Sequence, residues 1–402
     1  AKRTKGKETM LQVKDARRMQ REPTSPVKFP PGATIGMLGS GQLGRMFTHA
    51  AQRLGYRVHV FSTHESSPAG QAADLEIVGR FDDRKALAEF ARRADVITLE
   101  FENVPVAAVE TMANHVPVQP GPRVLQTVQH RLREKQFLAD ANIACTPFRA
   151  ARCLEDVRTG LREIGYPAIL KTAVDGYDGK GQARLNALAD AEAAWDAMDG
   201  REAILEAFAD FKCELSIIAA RSADGSTATF GPLLNSHVDH ILDVTVLPAG
   251  QFEQVGPQAT SIAEQIVRRL DVVGIICVEF FLCRDGSLLV NEIAPRPHNS
   301  GHLTIEACAT SQFEQHVRAV CGLPLGSTLQ MRPAAMANLL GQLWENGEPD
   351  WQRALEIPDV HLHLYGKSQP RPGRKMGHLT ALADTPAQAE KLVREARNAL
   401  AR

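Results

Sequence analysis

Short apolar runs that alternate with segments of helical periodicity mark the N-terminal part of the chain. The predicted strands and helices, in order, are 33–38, 45–54, 57–61, 83–93 and 96–101, and a proline-rich segment follows at 116–122. Strands that alternate with helices are typical of a doubly wound parallel sheet. We therefore expect an N-terminal α/β unit that ends near residue 122.

Strands outnumber helices in the middle of the chain. Helices are predicted at 124–140 and 261–270, and strands at 167–171, 204–208, 214–219, 275–282 and 287–290. The last two strands are joined by a turn and form a predicted hairpin, and His237 is assigned to a polar loop.

The composition shifts again beyond residue 326, where short apolar runs predict a small, mainly β domain with an amphipathic helix at 386–402. A chain of 402 residues is too long for one ordinary core. The expected division is a basic leader at 1–32, an N-terminal domain at 33–122, a central domain at 123–330 and a C-terminal domain at 331–402.

Composition and charge exclude several classes of protein. The net charge of −1 leaves no nucleic-acid footprint, and no apolar run is long enough to span a bilayer. None of the seven cysteines forms a CxxC pair, so we expect free thiols in the reducing cytoplasm and no zinc site. The leader lacks the apolar core of a secretory signal and contains acidic residues, which favours a disordered tail or an appended leader over a targeting peptide.

A glycine motif follows the first predicted strand. Gly39, Gly41 and Gly44 stand between a strand and a helix, as in the dinucleotide fingerprint. The same geometry serves any anion at a helix N-terminus, and no acidic residue for ribose ends the second strand, so NAD is disfavoured. The segment 100–103, which contains Glu100 and Glu102, closes a later strand at the sheet edge where ligands bind; a solvated strand end is the alternative.

The predicted hairpin at 275–290 carries the strongest chemical signal. Glu279 lies within its first strand, and Asn291 and Glu292 follow its second. Opposed carboxylates beside apolar residues predict a site for a hard cation such as Mg²⁺, against the alternative of two solvated glutamates. Arg296 and His298 follow directly and are expected to point at whatever the metal activates.

Two loops are suited to binding phosphate. The segment 175–182 contains three glycines, two aspartates and a lysine, and predicts a flap whose backbone N–H groups close over phosphates. The segment 371–378 combines basic residues with proline and glycine turns, which suits a phosphomonoester. A plain hairpin turn and a solvated basic loop are the respective alternatives.

These features together resemble the ATP-grasp superfamily, through Lys135, Lys171, the flap, Glu206, Glu214, Glu279 and Glu292 in that order. Within it the chain is similar to the N5-carboxyaminoimidazole ribonucleotide synthetase family of purine biosynthesis. The segments 176–182, 291–302 and 371–378 carry this resemblance, which runs from about residue 33 to the C-terminus.

The resemblance implies roles for individual residues. Those implied to bind ATP are Arg131, Lys135, Lys171, Gly176, Tyr177, Asp178, Gly179, Lys180, Gly181, Gln182, Glu206, Ala207, Phe208, Ala209, Glu214, His237, Asn291 and Glu292. Those implied to bind the ribonucleotide are Gln42, Leu43, Glu100, Tyr177, Lys367, Arg374 and Lys375. The implied catalytic set is Arg296, His298, Asn299 and Lys180, with His298 as candidate proton acceptor, and the implied metal ligands are Glu279 and Glu292.

The implied reaction carboxylates 5-aminoimidazole ribonucleotide with ATP and bicarbonate through carboxyphosphate. It uses Mg²⁺ or Mn²⁺ and neither biotin nor NAD, in a cytoplasmic homodimer whose product a separate mutase converts. A formate-dependent glycinamide ribonucleotide transformylase is the close alternative, although that family is expected to carry Glu at the position of Gln42. Biotin carboxylases are normally longer. An NAD-dependent oxidoreductase and a non-catalytic nucleotide sensor remain as alternatives of other classes.

Overall fold

The computed structural model describes residues 27–174, 176, 181–247, 252 and 254–400. Five residues of the predicted flap, Asp175, Tyr177, Asp178, Gly179 and Lys180, lie outside the described residues, as do residues 1–26 of the predicted leader.

Sixteen strands and twelve α-helices are defined within the described residues. The strands are β1 Thr34–Leu38, β2 Arg57–Ser62, β3 Leu75–Val78, β4 Val96–Leu99, β5 Phe148–Ala151, β6 Ala168–Thr172, β7 Gln182–Leu185, β8 Ala203–Ala207, β9 Phe211–Arg221, β10 Thr227–Val238, β11 Ile241–Leu247, β12 Gly274–Cys283, β13 Leu288–Ala294, β14 Ala334–Leu340, β15 Val360–Leu364 and β16 Lys375–Leu382. The helices are α1 Gln42–Arg53, α2 Arg84–Ala91, α3 Val106–Ala113, α4 Pro122–Val128, α5 Arg131–Asp140, α6 Leu154–Ile164, α7 Ala191–Ala197, α8 Gly256–Arg269, α9 Thr304–Ala307, α10 Gln312–Val320, α11 Trp351–Leu355 and α12 Pro386–Ala399.

The N-terminal strands form a parallel sheet in the order β3-β2-β1-β4, which confirms the predicted doubly wound unit. Every residue of β1 is buried, as expected for a parallel strand that helices cover on both faces. Glu100 follows β4 directly, so its side chain starts at the carboxyl edge of the sheet, beside the glycine motif that follows β1.

An antiparallel sheet of eight strands runs through the rest of the chain in the order β13-β12-β9-β10-β11-β14-β16-β15. The predicted hairpin is β12 and β13, and Glu279 pairs directly with Glu292 in its register. His237 lies in β10, so its assignment to a loop was wrong: β10 continues to Val238 because it pairs with β11. The C-terminal strands join this sheet through the pairing of β11 with β14.

A small antiparallel sheet, in the order β5-β8-β6-β7, packs with α6 and α7 around its own apolar core. The predicted flap connects β6 to β7. At its two ends, the N–H of Thr172 donates to the carbonyl of Gly181 at 2.8 Å, so both ends of the flap are anchored to each other at the sheet.

The single helix predicted at 124–140 is in fact two helices, α4 and α5. His130 between them is extended, with φ −127° and ψ 110°, and the N–H of Arg131 donates to the carbonyl of Ala173 at 2.9 Å. The break places the side chain of Arg131 under the flap. Local helical spacing did not reveal it, because the partner is more than forty residues away in the chain. Among the described residues, no helix is long and apolar enough to cross a membrane.

Candidate active site

A cavity of about 1000 Å³ opens where the N-terminal unit, the small sheet and the long sheet meet. It is lined by Gln42, Leu43, Glu100, Arg131, Lys171, Gly176, Gln182, Glu206, Ala207, Phe208, Ala209, Glu214, His237, Glu279, Asn291, Glu292, Arg296, His298, Asn299 and Lys375, all predicted site residues, and also by Glu102, Asn103, Phe211 and Asp239. The structure thus brings most of the described predicted residues together. Lys135, Gly181, Lys367 and Arg374 are not part of this lining.

Glu100 takes the hydrogen bonds that the glycine motif offers. Its carboxylate accepts from the N–H groups of Gly41 and of Gly44, the latter at 2.9 Å, at the N-terminus of α1. A Cβ at Gly41 would come within 2.8 Å of this carboxylate, which explains the glycine there. Burial raises the pKa of Glu100, against the opposing effect of these N–H donors and of Lys367. An internal carboxylate thus stands where a dinucleotide-binding protein places its pyrophosphate.

Arg296 is held by a carboxylate from the N-terminal unit. Glu102 accepts from its Nε and, at 2.9 Å, from Nη2, so the pair is bidentate. Burial alone would raise the pKa of Glu102, but the charge of Arg296 lowers it below its ordinary value. The guanidinium group is therefore fixed in direction, and its remaining N–H groups are oriented by a partner 194 residues away in the chain.

The paired glutamates of the hairpin each have a basic neighbour. His298 Nε2 lies 2.9 Å from Glu279 Oε1, and Arg131 Nη1 lies 3.4 Å from Glu292 Oε2. Burial raises the pKa of Glu279, but His298, His237 and Arg296 together lower it to about 2. Both side chains line the cavity from adjacent strands, so their oxygens form a hard, anionic donor pair of the kind that Mg²⁺ binds.

Asn299 lies beside His298 and lacks hydrogen-bond partners. Its Oδ1 and Nδ2 are both shielded from solvent, and neither has a partner among the described residues. A buried amide without partners costs free energy, because it has given up its hydrogen bonds to water. Its place in the cavity wall suggests a ligand that both donates and accepts hydrogen bonds.

The buried side chain of Gln312 holds the backbone of His298 in position. Gln312 Oε1 accepts from the N–H of His298 at 2.9 Å, and its Nε2 donates to the carbonyl of His298 at 2.7 Å. The amide of Gln312 thus pairs with the N–H and the carbonyl of His298 as the backbone of a neighbouring strand would. A Cβ on Gly301 would come within 2.7 Å of Gln312 Cδ and would overlap Ile218, so only glycine fits in the turn above this clamp.

Lys135, Glu206 and Lys171 form an ion cluster at the wall next to the small sheet. Lys135 Nζ lies 3.2 Å from Glu206 Oε1 and donates to the carbonyls of Val290 and Asn291, while Lys171 contacts Oε2. Burial would raise the pKa of Glu206, but the two lysines lower it to about 2. Lys171 reaches the cavity, whereas protein oxygens already surround the ammonium group of Lys135.

On the facing wall, His237 Nδ1 lies 2.6 Å from Glu214 Oε2. Burial lowers the pKa of His237, but the hydrogen bond and charge of Glu214 outweigh it, so the pKa is raised overall. The pair joins the neighbouring strands β9 and β10 in the cavity wall, to which Ala207 and Phe208 also contribute.

The basic segment 371–378 and the preceding Lys367 lie beside the cavity, before and at the start of β16. Lys375 lines the cavity, Lys367 donates to the carbonyl of Lys375 at 2.7 Å, and Arg374 Nη1 donates to the carbonyl of Gln369 at 2.7 Å. Burial and the neighbouring charges of Arg374 and Lys375 lower the pKa of Lys367 to about 8, although Glu100 opposes them. The basic segment therefore lies near Glu100, at the N-terminal side of the cavity.

Sequence reasoning missed three residues that shape the site: Glu102, Glu134 and Gln312. Burial and the charge of Glu292 raise the pKa of Glu134 to about 8, and its carboxylate accepts from the N–H of Ile293 at 2.5 Å. Glu102 stood in a strand end that the sequence marked as functional, so its proximity to Glu100 was a usable signal. Nothing local distinguishes Glu134 or Gln312 from other polar residues of amphipathic helices.

Family models match all three parts of the chain. An ATP-grasp domain matches residues 136–313, a ribonucleotide synthetase preATP-grasp domain matches 32–129, and a phosphoribosylaminoimidazole carboxylase C-terminal domain matches 334–392. The fold and the site therefore define an ATP-grasp ligase. Individual relatives narrow the class of ATP-grasp ligases to one family.

The N5-carboxyaminoimidazole ribonucleotide synthase of Brucella melitensis is 45% identical over 88% of this chain and 97% of its own length. The Aspergillus clavatus N5-carboxyaminoimidazole synthase in complex with ADP and 5-aminoimidazole ribonucleotide superposes with a TM-score of 0.84 at 33% identity, over 92% of this chain and 98% of that one. A bifunctional purine synthesis protein of Dictyostelium discoideum is 43% identical over 89% of this chain, which spans only 38% of that protein. The chain belongs to the N5-carboxyaminoimidazole ribonucleotide synthase family.

Proposed function

We propose that this chain carboxylates the exocyclic amine of 5-aminoimidazole ribonucleotide with ATP and bicarbonate, and releases ADP and phosphate. Membership of the synthase family supports the reaction, and the Aspergillus relative binds ADP and the same ribonucleotide. The observation that carries the proposal to this cavity is the unpartnered amide of Asn299 beside Arg296 and His298. Bicarbonate has both an O–H donor and anionic acceptor oxygens, which match the amide and the guanidinium group.

The donor set of the hairpin fits Mg²⁺, or Mn²⁺ as a substitute. Glu279 and Glu292 pair in register and line the cavity, so one ion can take an oxygen from each, provided that His298 and Arg131 share these carboxylates. Bound there, the ion would neutralise the charge that develops on the phosphates of ATP. Lys171 adds a cation at the wall next to the small sheet, and Lys180 of the flap is proposed to add another.

The chemistry follows from the charges in the cavity. An oxygen of bicarbonate attacks the γ-phosphorus of ATP, the bond to the β-phosphate oxygen breaks, and carboxyphosphate and ADP result. Carboxyphosphate then loses phosphate to give CO₂, which the amine of the ribonucleotide captures with loss of a proton. The first step brings two anions together, so the fixed guanidinium of Arg296 and the cations at the phosphates lower its barrier. Closure of the flap would protect the anhydride from water.

The two substrates are proposed to occupy opposite ends of the cavity. ATP is assigned to the end formed by Lys171, Glu206 and Glu214, between the small sheet and the hairpin. The ribonucleotide is assigned to the N-terminal end, where Gln42, Leu43 and Glu100 lie and where Tyr177 of the flap would cover it. Its phosphate is assigned to the basic segment, with Lys375 nearest and Lys367 and Arg374 behind it. Lys367, held by the carbonyl of Lys375, and Arg374, held by the carbonyl of Gln369, place positive charge there before substrate arrives.

Phosphate release measures the proposed reaction directly. The complete mixture contains the protein, ATP, Mg²⁺, bicarbonate and 5-aminoimidazole ribonucleotide, and each component is omitted in turn. We expect release to require all of them, and labelled bicarbonate to enter the ribonucleotide. A formate arm with glycinamide ribonucleotide is the control for the transformylase alternative: release in that arm, with none in the imidazole mixture, would overturn the proposal.

The assembly and location expected from the family remain predictions. They are a cytoplasmic homodimer and a separate mutase that consumes the product. Sedimentation of the purified protein tests the first, and an added mutase that pulls the coupled reaction forward tests the second. The domain limits at 33–122, 123–330 and 331–402 likewise remain a proposal, supported by the three family models, which match residues 32–129, 136–313 and 334–392.

A further inference from the structure

Four hydroxyl and amide side chains connect the ring of His298 to the interior of the long sheet. Ser300 Oγ lies 2.9 Å from His298 Nδ1, and Ser216 Oγ lies 2.8 Å from Ser300 Oγ. Asn235 Nδ2 lies 3.0 Å from Ser216 Oγ, and Thr245 Oγ1 lies 3.0 Å from Asn235 Oδ1. All four side chains are buried, so water does not compete for these hydrogen bonds.

The hydrogen atoms in this series of hydrogen bonds all point the same way, and His298 determines which way. The backbone N–H of Ser300 points at His298 Nδ1 from 3.3 Å, and a backbone N–H can only donate. Nδ1 must therefore offer its lone pair and cannot carry a hydrogen. At the other side of the ring, Nε2 faces a carboxylate oxygen of Glu279 at 2.9 Å, which only accepts while ionised. The single ring hydrogen is therefore on Nε2.

Each further bond then has only one donor available. Because Nδ1 accepts, the hydroxyl hydrogen of Ser300 is used on it, and the oxygen of Ser300 must accept from Ser216. The hydroxyl of Ser216 is thereby used as well, so Asn235 must present its NH₂ group to Ser216 and its oxygen to Thr245. Hydrogens therefore point the whole way from Thr245 to His298. The thiol of Cys277, which contacts both serines, is only a weak donor and does not alter this order.

We propose that Thr245, Asn235, Ser216 and Ser300 are positioning residues that hold the His298 ring with Nδ1 as acceptor and Nε2–H on Glu279. This rests on the proposed function. In that reaction Nε2–H of His298 stays on the Glu279 carboxylate and orients it, and this donor role replaces the proton-acceptor role that the sequence suggested. A ring whose two nitrogens are both engaged has no lone pair left for the proton of the amine.

Thr245, the residue of this hydrogen-bond series that lies farthest from His298, gives the sharpest test. Thr245→Val removes the terminal hydroxyl with almost no change in shape, and Thr245→Ser keeps it. Thr380→Val is the matched control, because Thr380 is also fully buried but its hydroxyl has no partner among the described residues. Ser300→Ala removes the link to the ring directly, and His298→Gln assigns the ring signals in ¹⁵N-histidine-labelled protein.

We expect the ¹⁵N signal of His298 Nδ1 in the wild type to be of the unprotonated, hydrogen-bonded type. In Ser300→Ala and Thr245→Val it should move towards the position of an unprotonated nitrogen with fewer hydrogen bonds, because the hydroxyl donor is lost or weakened while the backbone N–H of residue 300 remains. The turnover number should fall about tenfold in both, with the KM for ATP changed less than about twofold, and Thr245→Ser should behave as wild type. Thr380→Val should leave both readouts unchanged.

Two results would overturn the proposal. One is a protonated-type Nδ1 in the wild type; the other is a Thr245→Val protein that matches Thr380→Val in turnover and in the ring signals. A fall in turnover without any change at Nδ1 also counts against it, because packing alone would then explain the loss. The ring signals need no substrate, so they separate this proposal from a failure of the proposed reaction itself.

Discussion

At the scale of single residues, charged side chains of the cavity form ion pairs. In each pair one side chain fixes the position of the other, which is left to act on the substrates. Glu102 orients Arg296, Glu214 orients His237, and Glu206 gathers two lysines. Removing one partner of such a pair leaves a desolvated charge, which is more costly than removing both.

The Glu102–Arg296 pair should show this asymmetry. Glu102→Gln leaves the guanidinium without its counter-charge, and we expect unfolding by urea to show a loss of about 3 kcal/mol, together with a large fall in turnover. The double variant with Arg296→Gln should regain much of the stability, because no isolated charge remains, but none of the activity. Equal stability of the single and double variants would show that the pair is not energetically coupled.

Lys367 predicts a pH dependence of substrate binding. Its ammonium group has a pKa of about 8 in place of the ordinary 10.5, because burial and the nearby Arg374 disfavour the charged form. Below pH 8 the group is positive and attracts the substrate phosphate; above it the charge is lost. The KM for the ribonucleotide should therefore begin to rise above about pH 8.

Lys367→Arg is the control for this effect, since a guanidinium group stays charged throughout the accessible range. We expect the rise in KM to disappear in that variant. If the wild type and Lys367→Arg rise in parallel, the pH dependence comes from another group.

At the scale of elements, the position of His298 depends on one tight turn. The 3-10 turn Asn299–Gly301 stands directly over the amide of Gln312 and the side chain of Ile218. Gly301 is needed there for space: a methyl group would overlap both neighbours, and Gln312 could then no longer hold His298 by both amide atoms.

Gly301→Ala should accordingly destabilise the protein by about 1–3 kcal/mol in urea denaturation and reduce turnover. Gly121→Ala is the matched control, because its φ of −69° suits alanine and the nearest atom to the added Cβ would be 3.9 Å away. A Gly301→Ala protein as stable and active as Gly121→Ala would contradict this account of the turn.

At the scale of the whole molecule, the cavity lies where three sheets meet, and the longest of them runs from the hairpin into the C-terminal strands. The C-terminal strands continue the long sheet, so the basic segment and the hairpin glutamates are positioned by the same array of backbone hydrogen bonds. A disturbance in the C-terminal core should therefore be transmitted along the sheet, whereas one in the small sheet should stay local.

Hydrogen exchange compares the two cases. Leu379→Ala and Leu185→Ala each remove a fully buried leucine side chain, at a cost of about 2–5 kcal/mol. We expect Leu379→Ala to speed amide exchange in β10 and β11 as well as in β14 and β16, and Leu185→Ala to speed it only in the small sheet. Exchange confined to β14–β16 in the first variant would show that the long sheet is not one cooperative unit.

Much of the fold was predictable because it depends on neighbours along the chain. The parallel unit followed from alternating strands and helices, and the pairing of Glu279 with Glu292 followed from a short turn between two apolar runs. The break between α4 and α5 and the strand position of His237 were not predictable, since each depends on a pairing partner elsewhere in the chain.

The kinds of chemical groups in the site, and the order of the strands and loops that present them, follow from the local sequence. Which of those groups meet depends on the folded arrangement: Glu100 caps the glycine motif, Glu102 holds Arg296, and Gln312 and the hydrogen-bond series from Thr245 hold His298. The physical reason is range. Periodicity and turns are set within a few residues, whereas ion pairs and buried hydrogen bonds form only after packing has excluded water and left each polar group a single partner.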